Sequence, residues 1–362
     1  MLITFVLLFY IEIVKTSTIS ETSSIVFTRG ENGYYCIKIP SILVTVTGTL
    51  LAFGEARMFS CGDSTKTDLV YKRSIDNGRT WSNLSILYST SNDKYDRVGN
   101  VAPIQLEYKQ RILIPFCKNN LILMQTYSDD DGQTFMKPEI IQNVTKSNWK
   151  WIGFGPPSGI LLKSNRILIP SYYSTHLNDN GLLSTGIVML NDFNGQIDKW
   201  FIGGEFSAND ELFPNIFPNE CQAVELSKPN SIFINARSFG TKRIGVYSLD
   251  GGITFSKVNL INNLVQPLTG CQGSMIRHPR TNELFYSGLA DINIIRRNLT
   301  LYKSNDNGLN WTFLKLIYEQ SSAYSSLTIL PDQSIGLLYE WANKTDLIFQ
   351  PDYITFTVVW RP

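Results

Sequence analysis

The stretch Ser74-Ile75-Asp76-Asn77-Gly78-Arg79-Thr80-Trp81 decides the fold, because it returns as Ser128 to Phe135, Ser248 to Phe255 and Ser304 to Trp311. Each copy reads Ser-x-Asp-x-Gly-x-(Thr or Asn)-aromatic and follows a short apolar run such as LVYKR, ILMQTY, IGVY or LTLYK. Such a unit is a β-hairpin turn: Asp accepts hydrogen bonds from the turn backbone, Gly supplies positive φ, and the aromatic anchors the hairpin in an apolar core. The octets are therefore structural and not catalytic. Their starts lie 54, 120 and 56 residues apart, and a decayed copy, Asn191-Asp192-Phe193-Asn194-Gly195, falls in the middle of the long gap. A period of roughly 55 residues, each unit holding several short strands, marks a β-propeller. About six blades fit the chain at that period.

Runs such as RILIPF, RILIPSYY, SIFINAR, SIGLLYE and ITFTVVW, with no long stretch of helical period, make the chain all-β. No linker interrupts it, and propellers outgrow ordinary domains because each blade adds a core layer, so residues 18–362 read as one domain. With 32 basic and 31 acidic residues the net charge is +1, and no Lys/Arg block occurs. Nucleic acid is therefore not the expected partner. The apolar stretch Leu2 to Ile11 is too short to span a bilayer and suits a signal-peptide core, so residues 1–17 are expected to be a signal peptide, although no Lys or Arg precedes the stretch and a buried first strand is the alternative. Sequons at Asn83, Asn143, Asn298, Asn310 and Asn343 agree with secretory entry to the lysosome, cell surface or exterior.

Five cysteines (Cys36, Cys61, Cys117, Cys221, Cys271) without paired spacing, and only two histidines, His176 and His278, disfavour a zinc site. The odd count leaves at least one free thiol, and the spacing assigns no disulfide. Neither a Cys-His pair nor a serine triad has a recognisable motif. Any chemistry must come from carboxylates, tyrosine and arginine.

From about Tyr34 to Trp360 the chain resembles the sialidases. The repeated octets are similar to that family's Asp boxes, Tyr35-Cys36-Ile37-Lys38-Ile39-Pro40-Ser41 to its Arg-Ile-Pro motif, and Leu51 to Arg57 to the strand that follows. Asn219-Glu220-Cys221-Gln222 and Ile234-Asn235-Ala236-Arg237 match closely. Gly155 to Ile160, Gly270 to Ser274, Arg296 to Leu301 and Ala323 to Leu327 fall in family order. The resemblance implies a six-bladed propeller and an exo-α-sialidase acting on sialylated glycoproteins, gangliosides or oligosaccharides, with no metal or organic cofactor required. A sialic acid carries a carboxylate on its anomeric carbon, for which cations are the natural clamp. Arg237 and Arg296 resemble clamp residues, with Arg297 as the rival of Arg296, because neighbours on a strand point to opposite faces.

A carboxylate nucleophile would approach this anion against charge repulsion, whereas neutral tyrosine would not, and sialidases are the tyrosine exception to the two-carboxylate pattern. Tyr324 matches the family nucleophile. A phenol with pKa near 10 needs a base, which the family pattern makes Glu220 over its rival Glu225. Asp63 resembles the general acid, with Asp68 as its rival, expected at a solvent-facing strand end. Glu340 resembles the buttress of the first clamp cation, and Arg57 an arginine near the ligand.

One position departs from the pattern. Lys38 stands where the first clamp arginine is expected, and an ammonium cannot form the bidentate contact of a guanidinium. One weakened charge-assisted hydrogen bond costs on the order of 1.5–3 kcal/mol, or roughly ten- to hundred-fold in affinity. Lys38 therefore favours, as alternatives, a lectin-like propeller that binds without cleaving, while a trans-sialidase would share the catalytic set, and a scaffold without a sugar site would use none of it.

Overall fold

The computed structural model describes residues 23–89, 93–176, 183–207, 217–346 and 349–362. The expected signal peptide lies outside the described residues. Strand β1 (Ser23–Thr28) precedes a sheet of β2 (Cys36–Val44), β3 (Leu50–Arg57), β4 (Thr67–Ser74) and β5 (Ser85–Tyr88). A second sheet holds β6 (Val98–Gly99), β7 (Ile104–Gln105), β8 (Ile112–Lys118), β9 (Ile122–Ser128) and β10 (Glu139–Ile140). The third holds β11 (Trp151–Phe154), β12 (Ile160–Leu161), β13 (Ile167–Ser174), β14 (Thr185–Asn191) and β15 (Trp200–Phe206). β16 (Cys221–Glu225), β17 (Ile232–Ala236), β18 (Lys242–Ser248) and β19 (Asn259–Val265) form the fourth. The last sheet contains β20 (Ser274–Arg277), β21 (Leu284–Leu289), β22 (Arg297–Ser304), β23 (Thr312–Ile329), β24 (Ile335–Trp341) and β25 (Tyr353–Trp360), with β1 added at its edge against β25. Pairing is antiparallel throughout these strands. The chain is all-β in a propeller-like arrangement.

The sheets stack in chain order through apolar faces. Leu51 and Phe53 of the first sheet pack with Ile112 and Phe116 of the second, and Leu113 with Ile169 and Ile187 of the third. Leu168 and Val188 meet Ile232 and Ile234, and Phe233 meets Leu284 and Tyr286. Phe356 and Phe27 then pack with Ile37 and Ala52 of the first sheet, which closes the ring. Burial on both faces explains why Leu50–Arg57 is buried at every residue, since a strand sandwiched between layers has no solvent side.

The octets behave as turns. Ser74 Oγ accepts from Gly78 N at 2.9 Å, while Asp76 Oδ1 accepts from the amides of Arg79 and Thr80 at 3.1 and 2.9 Å. Gly78 has φ +81°, and a Cβ there would lie 2.3 Å from the Phe356 ring of the neighbouring sheet, so both conformation and packing require glycine. Trp81 packs edge-on against the same ring at 5.9 Å. In the decayed copy, Asn191 Oδ1 accepts from Gly195 N at 3.0 Å, doing the work of the serine.

At the level of the site the inner strands break or bulge. β2 bulges between Lys38 and Ser41 and β23 between Ser322 and Ser325. β6 and β7 share β8, and β11 and β12 share β13. Polar side chains tie the inner strands beneath these breaks: Gln272 Nε2 donates to Ser325 O at 2.9 Å, Ser325 N to Gln272 Oε1 at 3.0 Å, Ser41 Oγ to Pro157 O at 2.6 Å, and Gln222 Nε2 to Gly155 O at 3.2 Å. Buried amides of this kind are stabilising only when satisfied, and so they fix the relative setting of the sheets.

Candidate functional site

The concave end of the ring gathers Lys38 from β2, Arg57 from the end of β3, Asp63 from the loop after it, Glu220 and Arg237 from the edges of β16 and β17, Arg296 next to β22, Tyr324 from β23 and Glu340 from β24. A cavity of about 250 Å³ is lined by Arg57, Asp63, Glu220, Arg237 and Tyr324. An adjoining hollow of about 650 Å³ is lined by Lys38, Arg296 and again Asp63. Asp63 therefore stands between the two.

Tyr324 is 7% exposed. Its hydroxyl donates a hydrogen bond to Glu220 Oε1, and Arg237 Nη1 donates to Glu220 Oε2 at 2.8 Å and to the phenol oxygen at 3.4 Å. Burial, then the neighbouring carboxylate, push the phenol well above the usual tyrosine value, while Arg237 and Arg296 pull it down. Arg296 lies 5.7 Å from the centre of the Tyr324 ring and donates to Gly270 O at 3.4 Å. Its neighbour Arg297 turns away and pairs with Asp291. Among the described residues, neither Arg296 nor Lys38 has a carboxylate within ion-pair distance. The Lys38 ammonium lies 6.0 Å from the Phe349 ring centre, and burial, then Arg57, hold its pKa below the usual lysine range.

Arg57 donates to Asp63 Oδ1 at 2.7 Å, to Cys61 O at 2.6 Å and to Glu55 Oε2 at 2.9 Å. The Asp63 side chain is 77% exposed. Its setting in the concave end works upward on its pKa, but Arg57 and Lys38 outweigh this and hold it below the usual carboxylate range. Asp68 is not at a solvent-facing strand end: it is buried, with Oδ2 accepting from the Tyr34 hydroxyl at 2.9 Å, because β4 is covered on both faces. Glu225 caps a turn elsewhere, accepting from the amides of Lys163 and Asn230.

Glu340 is fully buried; its hydrogen bonds go to backbone, and it acts on the Lys38 ammonium by charge without a direct ion pair. Its Oε1 accepts from Ile39 N at 2.7 Å and its Oε2 from Tyr324 N at 3.2 Å. Ile39, next to Lys38, has φ +55°, a strained value for a β-branched residue. One carboxylate thus joins the strand carrying Lys38 to the strand carrying Tyr324.

Three features escaped the sequence reading. Glu55 partners Arg57, and only its two-residue spacing on one strand signals that. Arg97 lines the cavity from a loop without regular pattern, with Asn120 Oδ1 3.4 Å from its Nε. Cys36 and Cys61 form a disulfide, while Cys117, Cys221 and Cys271 are free and buried. Cys36 pairs in register with Arg57, but sequence alone does not place Cys61, in the loop beyond, against it. Among the described residues no group of histidine, cysteine and carboxylates could hold a metal.

A family model described as BNR repeat-like domain matches residues 118–339. Sialidase-4 of Mus musculus is 27% identical over 283 residues, covering 70% of this chain and 56% of its own length. A sialidase of Paraclostridium sordellii is 24% identical over 279 residues, covering 70% of this chain and 66% of its own. The chain thus spans between half and two thirds of the length of these relatives. In fold it is similar to a Hadza microbial sialidase, with a TM-score of 0.77 over 91% of this chain and 67% of the other at 23% identity.

Proposed function

The chain belongs to the BNR repeat-like domain family, and from that premise and its similarity to sialidases we propose that it is an exo-α-sialidase that works with retention through Tyr324. The observation that carries this reading is the Tyr324–Glu220–Arg237 hydrogen-bonded set beside two cations, Arg296 and Lys38, with no carboxylate within ion-pair distance among the described residues. Cations in a concavity without a direct ion pair suit an anion, and the carboxylate of a terminal sialic acid supplies one.

With that carboxylate on Arg237, Arg296 and Lys38, the phenol oxygen of Tyr324 attacks the anomeric carbon as Glu220 takes its proton. The glycosidic oxygen leaves with the proton of Asp63. A covalent sialyl-tyrosine results, and water deprotonated by Asp63 then displaces the phenolate, which recovers its proton from Glu220. The elevated phenol pKa makes the base necessary: unaided, Tyr324 stays neutral throughout the physiological range. Asp63 must be protonated in the first step although its cations disfavour that form. Substrate binding relieves this, since an anion on Lys38 and Arg296 neutralises two of the charges that depress Asp63. The requirement also places the working range on the acidic side.

Six blades are the reading best supported by the packing. The two halves of the 18-residue β23 serve as the outer strand of one blade and the inner strand of the next, β1 supplies the outer strand of that last blade, and six apolar clusters among the described residues lie between successive blades, one of them within the seven-stranded sheet. Residues 1–17 as a signal peptide and delivery to the secretory pathway are supported by the Cys36–Cys61 bridge, which persists in oxidising compartments. Sialylated glycoconjugates are the proposed substrates.

Release of fluorophore from a 4-methylumbelliferyl sialoside tests the activity. Wild type should turn over best below neutral pH, and Tyr324→Phe should lose at least about a hundred-fold in kcat, the range of a lost catalytic group. Turnover of Tyr324→Phe at the wild-type rate would remove the tyrosine from the mechanism.

A further inference from the structure

We propose that the Cys36–Cys61 disulfide is a positioning device for the general acid, a role that rests on reading Asp63 as that acid. Asp63 sits on the nine-residue connection from Arg57 to Thr67, whose middle is solvent-facing: Phe59 is 61% exposed and the Asp63 side chain 77%. The base of this loop is closed by Met58 N donating to Lys66 O at 2.9 Å and Phe59 N donating to the Thr65 hydroxyl at 3.2 Å. Beyond those bonds, the tip is held by Arg57, through Cys61 O and Asp63 Oδ1, and by the bridge.

An ion pair with one exposed partner holds a loop weakly. The covalent tie does not depend on screening. It joins Cys61, two residues before Asp63, to Cys36, two residues before Lys38, with Cα atoms 5.4 Å apart. The clamp cation and the acid are thereby tied to one another through the bridge and one intervening residue on each side, Ile37 and Gly62. Cys61 also presents the carbonyl that orients the Arg57 guanidinium, so the bridge sets the acid's partner as well. A displacement of about 1 Å in a catalytic group costs on the order of a hundred-fold in rate.

This role predicts a signature that general loss of structure would not give. Protonation matters for an alkyl leaving group and little for an aryl one that departs as a stable phenolate, and kcat/KM reports the step in which that group leaves. Wild type, Asp63→Ala and the double variant Cys36→Ser/Cys61→Ser are to be compared on 3′-sialyllactose and on the 4-methylumbelliferyl sialoside, with circular dichroism to establish folding. Wild type reduced with a phosphine and still folded gives the same comparison should the double variant fail to fold.

Loss of about ten- to hundred-fold in kcat/KM on the lactoside, with less than about threefold on the aryl sialoside, is expected when the bridge is absent. Equal losses on both substrates, or an unchanged ratio, would overturn the positioning role while Asp63→Ala still shows the leaving-group signature. Equal losses in Asp63→Ala itself would take down the acid assignment and the proposal with it.

Discussion

At the residue scale the decisive departure from the family pattern is Lys38. Because burial and Arg57 lower its pKa, the clamp should lose this charge at a lower pH than an ordinary lysine would, and KM should rise on the alkaline side. An arginine cannot deprotonate in that range. Lys38→Arg should therefore lower KM by roughly ten-fold near neutral pH, since a bidentate contact replaces a single one, and flatten its alkaline rise. Parallel KM–pH curves for the two proteins would show that Lys38 does not touch the anion. The expected residues that the structure brings into direct contact are those in the motifs that match the family most specifically: Tyr324, Glu220, Arg237. Arg97 and Glu55 remained hidden because a single charge in a loop or on a strand has no pattern to set it apart. Asp68 was misplaced for a related reason, since an acidic residue at a strand end reads as solvated until the covering layer is known.

At the element scale, four copies of one turn made the propeller legible, and their spacing exposed the degraded fifth, where Asn191 replaces the serine and no aspartate follows in register. A sixth turn of this kind has no place, because the corresponding connection in the final sheet lies between β25 and β1, which are the two ends of the described chain. Burial acts upward on the turn carboxylates, but hydrogen bonds from Thr80 hold Asp76 at about 2, and Asp130 and Asp250 lie at about 2 for equivalent reasons. The unfolded value is near 3.9. Each depressed carboxylate thus contributes stability that is fully present above about pH 4 and is lost as pH falls through about 2. Asp76→Ala should cost about 1–2 kcal/mol in urea titrations at pH 7 and less at pH 2, where the wild-type group is itself half protonated. A cost that stays constant with pH would show that the carboxylate charge plays no part.

At the scale of the whole molecule, the ring is closed by β1 pairing with β25, so strands from opposite ends of the chain complete one sheet. Phe27, 1% exposed on β1, belongs to the cluster that packs this sheet on the first. Phe27→Ala should cost about 3–5 kcal/mol, and the loss should appear in a single unfolding transition because no sheet is an end of the stack. A separate early transition would mean that the closing sheet melts alone. The same closure brings Ile39, next to Lys38 on the first sheet, against Glu340 on the last, which also holds Tyr324 N, so the site exists only in the closed ring. The most direct test of the tyrosine mechanism is to trap the intermediate with a sialosyl fluoride bearing a second fluorine at the adjacent carbon, and to map the adduct by peptide mass spectrometry. We expect one sialyl group per chain, on the peptide containing Tyr324 and absent from Tyr324→Phe; an adduct on Glu220 or Asp63, or turnover by wild type with no adduct on any residue, would contradict it.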